Sequence, residues 1–320
     1  MAQELFWETL YYFDSQDESF IPNGPPRSSR RRRPRAYLPR RFTRAIYAVD
    51  SSTIKLVTNS LDWAKHRRRK AAAKCHMSLK LNSFMPSIVI VKAANTHDST
   101  EAAELCADLK AGEVVVFDKA YVDYAHLHTL ADREVTWVTR SKSNMAYEVE
   151  AVHNEPKGKI IRDVLVRLTG HDSHKAYPEY LRLVEARVVV DGKEKVMTFM
   201  TTNLTWASSS ITELYKARWA IEVFFKQLKQ TLKLSDFLGY NESAVRWQIW
   251  TALLTYVLLR FIAHRAKWSR SFARLFSCLR GVLWRRLEMF SVLAACGTAD
   301  DPIPIRSAPD RAYLPGFGDC

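Results

Sequence analysis

The chain has 320 residues, 47% of them apolar and 26% charged, an ordinary globular composition that can bury a substantial core in one large or two medium domains. Lys and Arg total 48 against 34 Asp and Glu, a net charge of +14, which points to a polyanionic partner: DNA, RNA or an anionic membrane surface. The five cysteines are scattered, odd in number and without a Cys-x-x-Cys pair, which argues against a disulfide framework or a zinc knuckle and fits reduced thiols in a cytosol.

Residues 1–20 read as the end of a helix, with Leu5, Phe6, Leu10 and Tyr11 at helical spacing and no basic stretch that would open a signal peptide. Five prolines and nine arginines between Pro22 and Arg44 then make a basic arm, either solvated or laid on phosphates. From Ala45 the pattern is β-like, with Ala45–Val49, Thr53–Val57, Lys74–Leu81 and Ser87–Lys92 as successive strands. Between the first two and the third, Lys65-His-Arg-Arg-Arg-Lys70 is a basic run suited to DNA or to a solvated loop. Asp98-Ser-Thr-Glu101 has the spacing of a capping box and predicts a helix to Leu109 capped by Asp98. A buried strand, Glu113–Phe117, a helix at Tyr124–Ala131 and a strand at Val135–Arg140 follow. Hairpins succeeded by β-α-β units predict a mixed sheet with helices packed on it.

Residues 145–205 alternate, with Asp191-Gly192 as a hairpin turn, and predict an all-β insertion. His171, Asp172 and His174 fall within it and read as loop residues. A single helix is predicted from Ser209 to Leu232, then further helices at 241–267 and 270–295 and a loose tail of prolines and glycines. The longest apolar run, Ile249–Ala263, is too short for a membrane span and contains Arg260, so it reads as a buried helix.

Three carboxylates stand out. Asp50 and Asp118 each follow an apolar strand, the place where open α/β sheets bind ligands. Glu222 lies on a helical stripe with Tyr215, Arg218 and Lys229, at steps of 3, 4 and 7. Three such acids can hold two divalent cations about 3.5–4 Å apart for in-line phosphoryl transfer, and magnesium suits an all-oxygen site. Taken singly, Asp50 and Asp118 also suit turns, and Glu222 also suits a surface pair with Lys226.

Tyr215, Arg218, Glu222 and Lys229 match, without a gap, the Y-R-E-K signature of the insertion-sequence-four family of DDE transposases, which this chain resembles over roughly residues 40–265. Asp50-Ser-Ser-Thr53, Asp118-Lys-Ala-Tyr121, Phe237-Leu-Gly239 and Gln248-Ile-Trp250 continue the likeness. The resemblance implies an α/β, RNase H-like mixed sheet flanked by helices, interrupted by a β-rich insertion and completed by C-terminal helices. The corresponding division is an arm at 1–44, a first core segment at 45–144, the insertion at 145–207, core completion at 208–296 and a tail at 297–320. It further implies that Asp50, Asp118 and Glu222 are the catalytic metal ligands for two Mg²⁺ ions, with Mn²⁺ as a substitute. Tyr215, Arg218 and Lys229 would then hold DNA.

The implied activity is cut-and-paste cleavage and strand transfer at the ends of an insertion sequence. Its partners are double-stranded DNA with terminal inverted repeats and target DNA, engaged by a homodimer in a synaptic complex, with no membrane. The implied setting is the prokaryotic cytoplasm, associated with the nucleoid. Ala120 stands where the family has Gly and Lys119 where it has Arg. Only about 40 residues precede the core, so the usual helical DNA-binding domain is expected to be shortened or missing. That keeps a non-catalytic DNA-binding remnant or inhibitor open as the alternative. Trp206 is the tryptophan best placed by sequence to stack on an unpaired base.

Overall fold

A computed structural model describes residues 1–17, 19–21, 44–56, 65–66, 70–93, 97–190, 192–234, 237, 239, 241–285 and 287–297, with the backbone alone described at 65, 66, 70 and 71. The arginine arm, Trp63, the side chains of the 65–70 basic run, Asn95, Asp191, Leu238 and the tail beyond 297 lie outside this set.

The sheet is built around β5 (Val114–Phe117), whose four apolar residues are at most 1% exposed because both of its faces are covered. On one side β5 pairs in parallel with β1 (Ile46–Lys55), from Ile46↔Val114 to Val49↔Phe117. On the other it pairs in parallel with β6 (Thr136–Arg140), through Val116↔Val138. β1 continues antiparallel to β3 (Lys70–Lys80), and β3 to β4 (Met85–Ala93), with the two-residue β2 (Lys65–His66) beside β3. Three antiparallel strands followed by two parallel ones give the RNase H-like order. Beyond β6 the sheet turns antiparallel through β10 (Lys193–Thr201), β9 (Leu181–Val190), β8 (Ile160–Leu168) and β7 (Tyr147–Val152). Residues 145–205 therefore extend the ten-stranded sheet rather than forming a layer of their own. They are also not all-β, because a short helix, α4 (His171–Ala176), follows β8 and carries His171, Asp172 and His174.

Strand alternation sends side chains to two cores. Ile46, Ala48, Val116 and Val138 face one with α5 (Ser208–Ala217), α6 (Trp219–Lys226) and α7 (Glu242–Arg265). Val49, Val115, Phe117 and Trp137 face the other with α2 (Ala102–Leu105) and α3 (Tyr124–Asp132). The N-terminal helix α1 (Ala2–Gln16) packs on α7, where Phe13 stacks on Phe261 with centroids 3.9 Å apart. Asn241 caps α7 by accepting from the Ala244 N–H at 2.7 Å, and α8 (Phe272–Val282) and α9 (Met289–Gly297) complete that layer. No helix among the described residues is long and apolar enough to cross a membrane.

Three sequence expectations are corrected. The strands predicted at 45–49 and 53–57 are one strand, β1, because β3 pairs with it continuously from Tyr47 to Lys55. The helix predicted from Asp98 to Leu109 is a 3-10 turn (Asp98–Glu101) leading into the four-residue α2, and the Asp98 side chain makes no capping hydrogen bond. The single helix predicted over 209–232 is interrupted at Arg218 and ends in a π-helical turn, Gln227–Thr231.

Candidate active site

Asp50 lies inside β1, one residue past the last pairing of β1 with β5, so its strand is still held by β3 while its β5 side has opened. Asp118 is the residue immediately after β5. Because Val49 and Phe117 are register partners, the two aspartates leave adjacent parallel strands at one edge of the sheet. Alternation places Asp50 on the face covered by α5 and α6.

The third carboxylate reaches them through the helix interruption. The Arg218 N–H donates to the Tyr215 carbonyl at 3.2 Å and the Ile221 N–H to the Arg218 carbonyl at 3.0 Å, a tightened turn that separates α5 from α6. Arg218 there donates from Nη1 to Asp50 Oδ2 at 2.7 Å and from Nη2 to Glu222 Oε1 at 2.9 Å. Tyr215 donates its hydroxyl to Asp118 Oδ1 at 3.0 Å, and Arg140 Nη2 reaches the same oxygen at 3.3 Å. Both guanidinium groups lie within 6 Å of the Tyr215 ring centroid, Arg140 at 5.8 Å and Arg218 at 5.5 Å. Lys229, on the π-helical turn, donates to the Thr53 carbonyl at 2.7 Å.

The structure thus brings together five of the six residues singled out by sequence, and places Lys229 further along β1, at Thr53. Tyr215, Arg218 and Lys229, expected on DNA, spend their polar groups here on Asp118, on Asp50 and Glu222, and on β1. Glu222 pairs with Arg218 rather than Lys226. Ala120 sits in the 3-10 turn Lys119–Tyr121 without a positive φ, so that turn does not need glycine. Trp206 is half-buried against the first core.

Burial raises the Asp50 carboxyl to about 6, with Asp118 and Glu222 adding to the rise and Arg218 and the Ser51 N–H opposing it. Burial also pushes Asp118 up, but Arg218, the Lys119 N–H, Tyr215 and Arg140 outweigh it and leave this carboxyl below its ordinary value. Tyr215 is raised to about 12 by burial. Two neighbouring carboxylates are thus driven in opposite directions, one by its burial and the other by the cations and donors around it.

As a donor set the three acids suit a hard divalent cation. Arg218 takes the cationic position between two of them, and among the described residues no three His, Cys, Asp or Glu side chains close to metal-binding distance. Among the described residues the buried Nε of Arg218 and of Arg140 have no hydrogen-bond partner, so neither guanidinium is saturated by these contacts.

Sequence reading missed Arg140, which ends β6 at the same edge. The signal was available: an apolar strand closed by a charge, as at Asp50 and Asp118.

This fold and site define an RNase H-like α/β protein with a carboxylate centre at the ends of its two central parallel strands. The chain belongs to the transposase DDE domain family, whose model matches residues 41–258. A Sinorhizobium fredii protein named as a transposase, y4zB, is 32% identical over 229 residues, 70% of this chain and 63% of that protein. A Geobacillus stearothermophilus protein named as the transposase of insertion sequence element IS5377 is 28% identical, covering 71% of this chain and 59% of its own length. Transposase InsG of insertion sequence element IS4 from Escherichia coli is 26% identical, over 57% of this chain and 42% of its own. The chain therefore spans less than two thirds of the length of these relatives. Among solved structures, a piggyBac transposase synaptic complex with hairpin DNA aligns at a TM-score of 0.46 and 11% identity, covering 80% of this chain and 54% of that one.

Proposed function

We propose that this chain carries out divalent-metal-dependent DNA cleavage and strand transfer at the ends of an insertion sequence. The observation that carries the reading is the placement of Asp50 in β1, Asp118 just after β5 and Glu222 in α6 against two arginines, Arg218 on Asp50 and Glu222 and Arg140 on Asp118. Asp50, Asp118 and Glu222 would hold two Mg²⁺ ions, or Mn²⁺ in their place, which supply Lewis-acid stabilisation and an activated water or 3′-hydroxyl when bound. Tyr215 and Arg140 hold the Asp118 carboxylate ionised and oriented. Arg218 carries a planar fork that fits a phosphate as well as it fits the two carboxylates it now bridges, so a DNA backbone entering the site competes for it. Lys229 ties the π-helical turn to the strand that bears Asp50, keeping α6 in register with β1. The DNA is a terminal inverted repeat and then a target, engaged by two copies of the chain in a synaptic complex.

The test is Mg²⁺-dependent cutting of a duplex carrying the element's terminal repeat, comparing wild type with Asp118→Ala. The substitution is expected to lower cleavage by about 10³-fold or more while DNA binding persists. Cleavage that survives it removes these acids from the mechanism. Wild-type protein that binds the repeat but never cuts it supports a non-catalytic DNA-binding remnant instead.

A further inference from the structure

Asp98 does not cap the turn it begins; its carboxylate is spent on the sheet. Oδ1 accepts from the Ser51 hydroxyl at 2.7 Å and pairs with Lys74 Nζ at 2.8 Å, with His76 Nδ1 at 3.5 Å. His76 is fully buried and also meets the Tyr121 hydroxyl at 3.3 Å. Tyr121 is 1% exposed, and His76 Nδ1 stands between its hydroxyl and the Asp98 carboxylate. These groups lie on the α2/α3 face of the sheet. Ser51 and His76 are register partners across β1 and β3, and alternation turns residue 51 to that face while residue 50 turns to the other.

Both carboxylate-bearing segments are thus fastened from behind. Ser51 is covalently next to Asp50. Tyr121 closes the 3-10 turn that starts at Asp118, its N–H donating to the Asp118 carbonyl at 3.0 Å. A single side chain from the β4–α2 connection grips the first segment directly and reaches the second through His76 and Tyr121. Hydrogen bonds to an ionised carboxylate are short and about twice as strong as neutral ones, so the grip is stiff as well as local.

We infer that Asp98 is a positioning residue which, directly through Ser51 and by way of His76 and Tyr121, sets the separation of Asp50 and Asp118 from the far side of the sheet. The inference rests on the proposed role of those two acids. Displacing catalytic groups by about 1 Å can cost on the order of 10²-fold in rate, so a lost tether is readable even when the fold survives.

Three variants test it: Ser51→Ala, which removes one hydroxyl; Asp98→Asn, which keeps the shape and removes the charge; and the double substitution. Each single variant is expected to slow single-turnover cleavage at saturating repeat DNA by roughly 10- to 100-fold. It is also expected to raise the Mg²⁺ concentration needed for half-maximal rate, with DNA affinity and melting temperature close to wild type. The double variant should be no slower than the worse single one, because both break the same link. Mn²⁺ titrated alone into the whole protein and followed by electron paramagnetic resonance should bind more weakly to Asp98→Asn than to wild type.

Unchanged rates and Mn²⁺ affinity overturn the inference. So do multiplicative effects in the double variant, or losses that track a fall in melting temperature and DNA affinity. If wild type binds Mn²⁺ but does not cut, the cleavage reading falls and the Mn²⁺ comparison still decides the role of Asp98. If wild type binds no Mn²⁺, both fall.

Discussion

Two arginine–carboxylate clusters in this molecule use the same chemistry to opposite ends. Arg182 is fully buried and every nitrogen of its guanidinium is used: Nε and Nη2 on Asp163 at 2.9 and 2.7 Å, and Nη1 on the carbonyls of Asn203 and Trp206 at 3.0 and 2.7 Å. The Ser208 hydroxyl completes Asp163 at 2.6 Å, so the cluster bolts β8 and β9 to the segment that starts α5. Arg218 is only 11% exposed, yet it serves two carboxylates, has a third nearby and finds no partner for its Nε among the described residues. The contrast shows in the acids. Burial raises Asp163, but hydrogen bonds from Arg182, Ser208 and Asn154 outweigh it and hold this carboxyl below its ordinary value, whereas Asp50 is driven up to about 6. A saturated cluster with one acid per cation is a fastening. An unsaturated one with an excess of acid is a site that can exchange its cation.

The comparison can be broken first at Arg182. Arg182→Ala is expected to lower unfolding free energy by about 3–5 kcal/mol, because it strands a buried carboxylate; urea denaturation measures it, and a loss under 1 kcal/mol would make the cluster incidental. The same loss should shrink in acid. Asp163 has a depressed folded pKa, so its contribution is complete above the ordinary value of about 3.9 and disappears as pH falls through the folded value.

Arg218→Gln sharpens the contrast. It removes a group that lowers the Asp50 pKa, so that carboxyl should rise further in the folded state. A raised folded pKa makes the penalty full above that pKa and absent below the unfolded value. The variant is therefore expected to be less stable than wild type by about 1–2 kcal/mol at pH 8 and nearly equal at pH 4. Thermal unfolding across that range checks it, and a gap that widens toward acid contradicts the assignment. The smallest effect is expected at Lys229→Met, where loss of one hydrogen bond to the Thr53 carbonyl costs about 1 kcal/mol. Hydrogen exchange of the β1 amides near Thr53 should rise accordingly, and unchanged protection would show that Lys229 does not restrain β1.

Much of the fold was legible because it rests on local pattern. The apolar Val114–Phe117 run, the alternation of 181–201 and the apolar stretch of α7 each report burial directly, so β5, β9, β10 and α7 were anticipated within a few residues. What failed was whatever depended on a partner. β1 read as two strands because Asp50-Ser-Ser-Thr53 looks like a turn until β3 is laid beside it. Helix 209–232 read as continuous because no residue in it signals the interruption at Arg218. Asp98 read as a cap because Ser51, Lys74 and His76 are distant in sequence.

The sequence by itself determined which groups are present: two acids behind apolar strands, a third on a polar stripe at helical spacing and an excess of positive charge, all of which are properties of spacing and composition. Only the tertiary structure decided which charges meet. The parallel register of Val49 with Phe117 sets two acids side by side, and the packing of α6 on β1 sets Arg218 between Asp50 and Glu222. The physical reason is range. Periodicity records contacts a few residues apart, whereas the electrostatics of this centre come from pairs more than ninety residues apart along the chain, such as Tyr215 with Asp118 and Arg218 with Asp50.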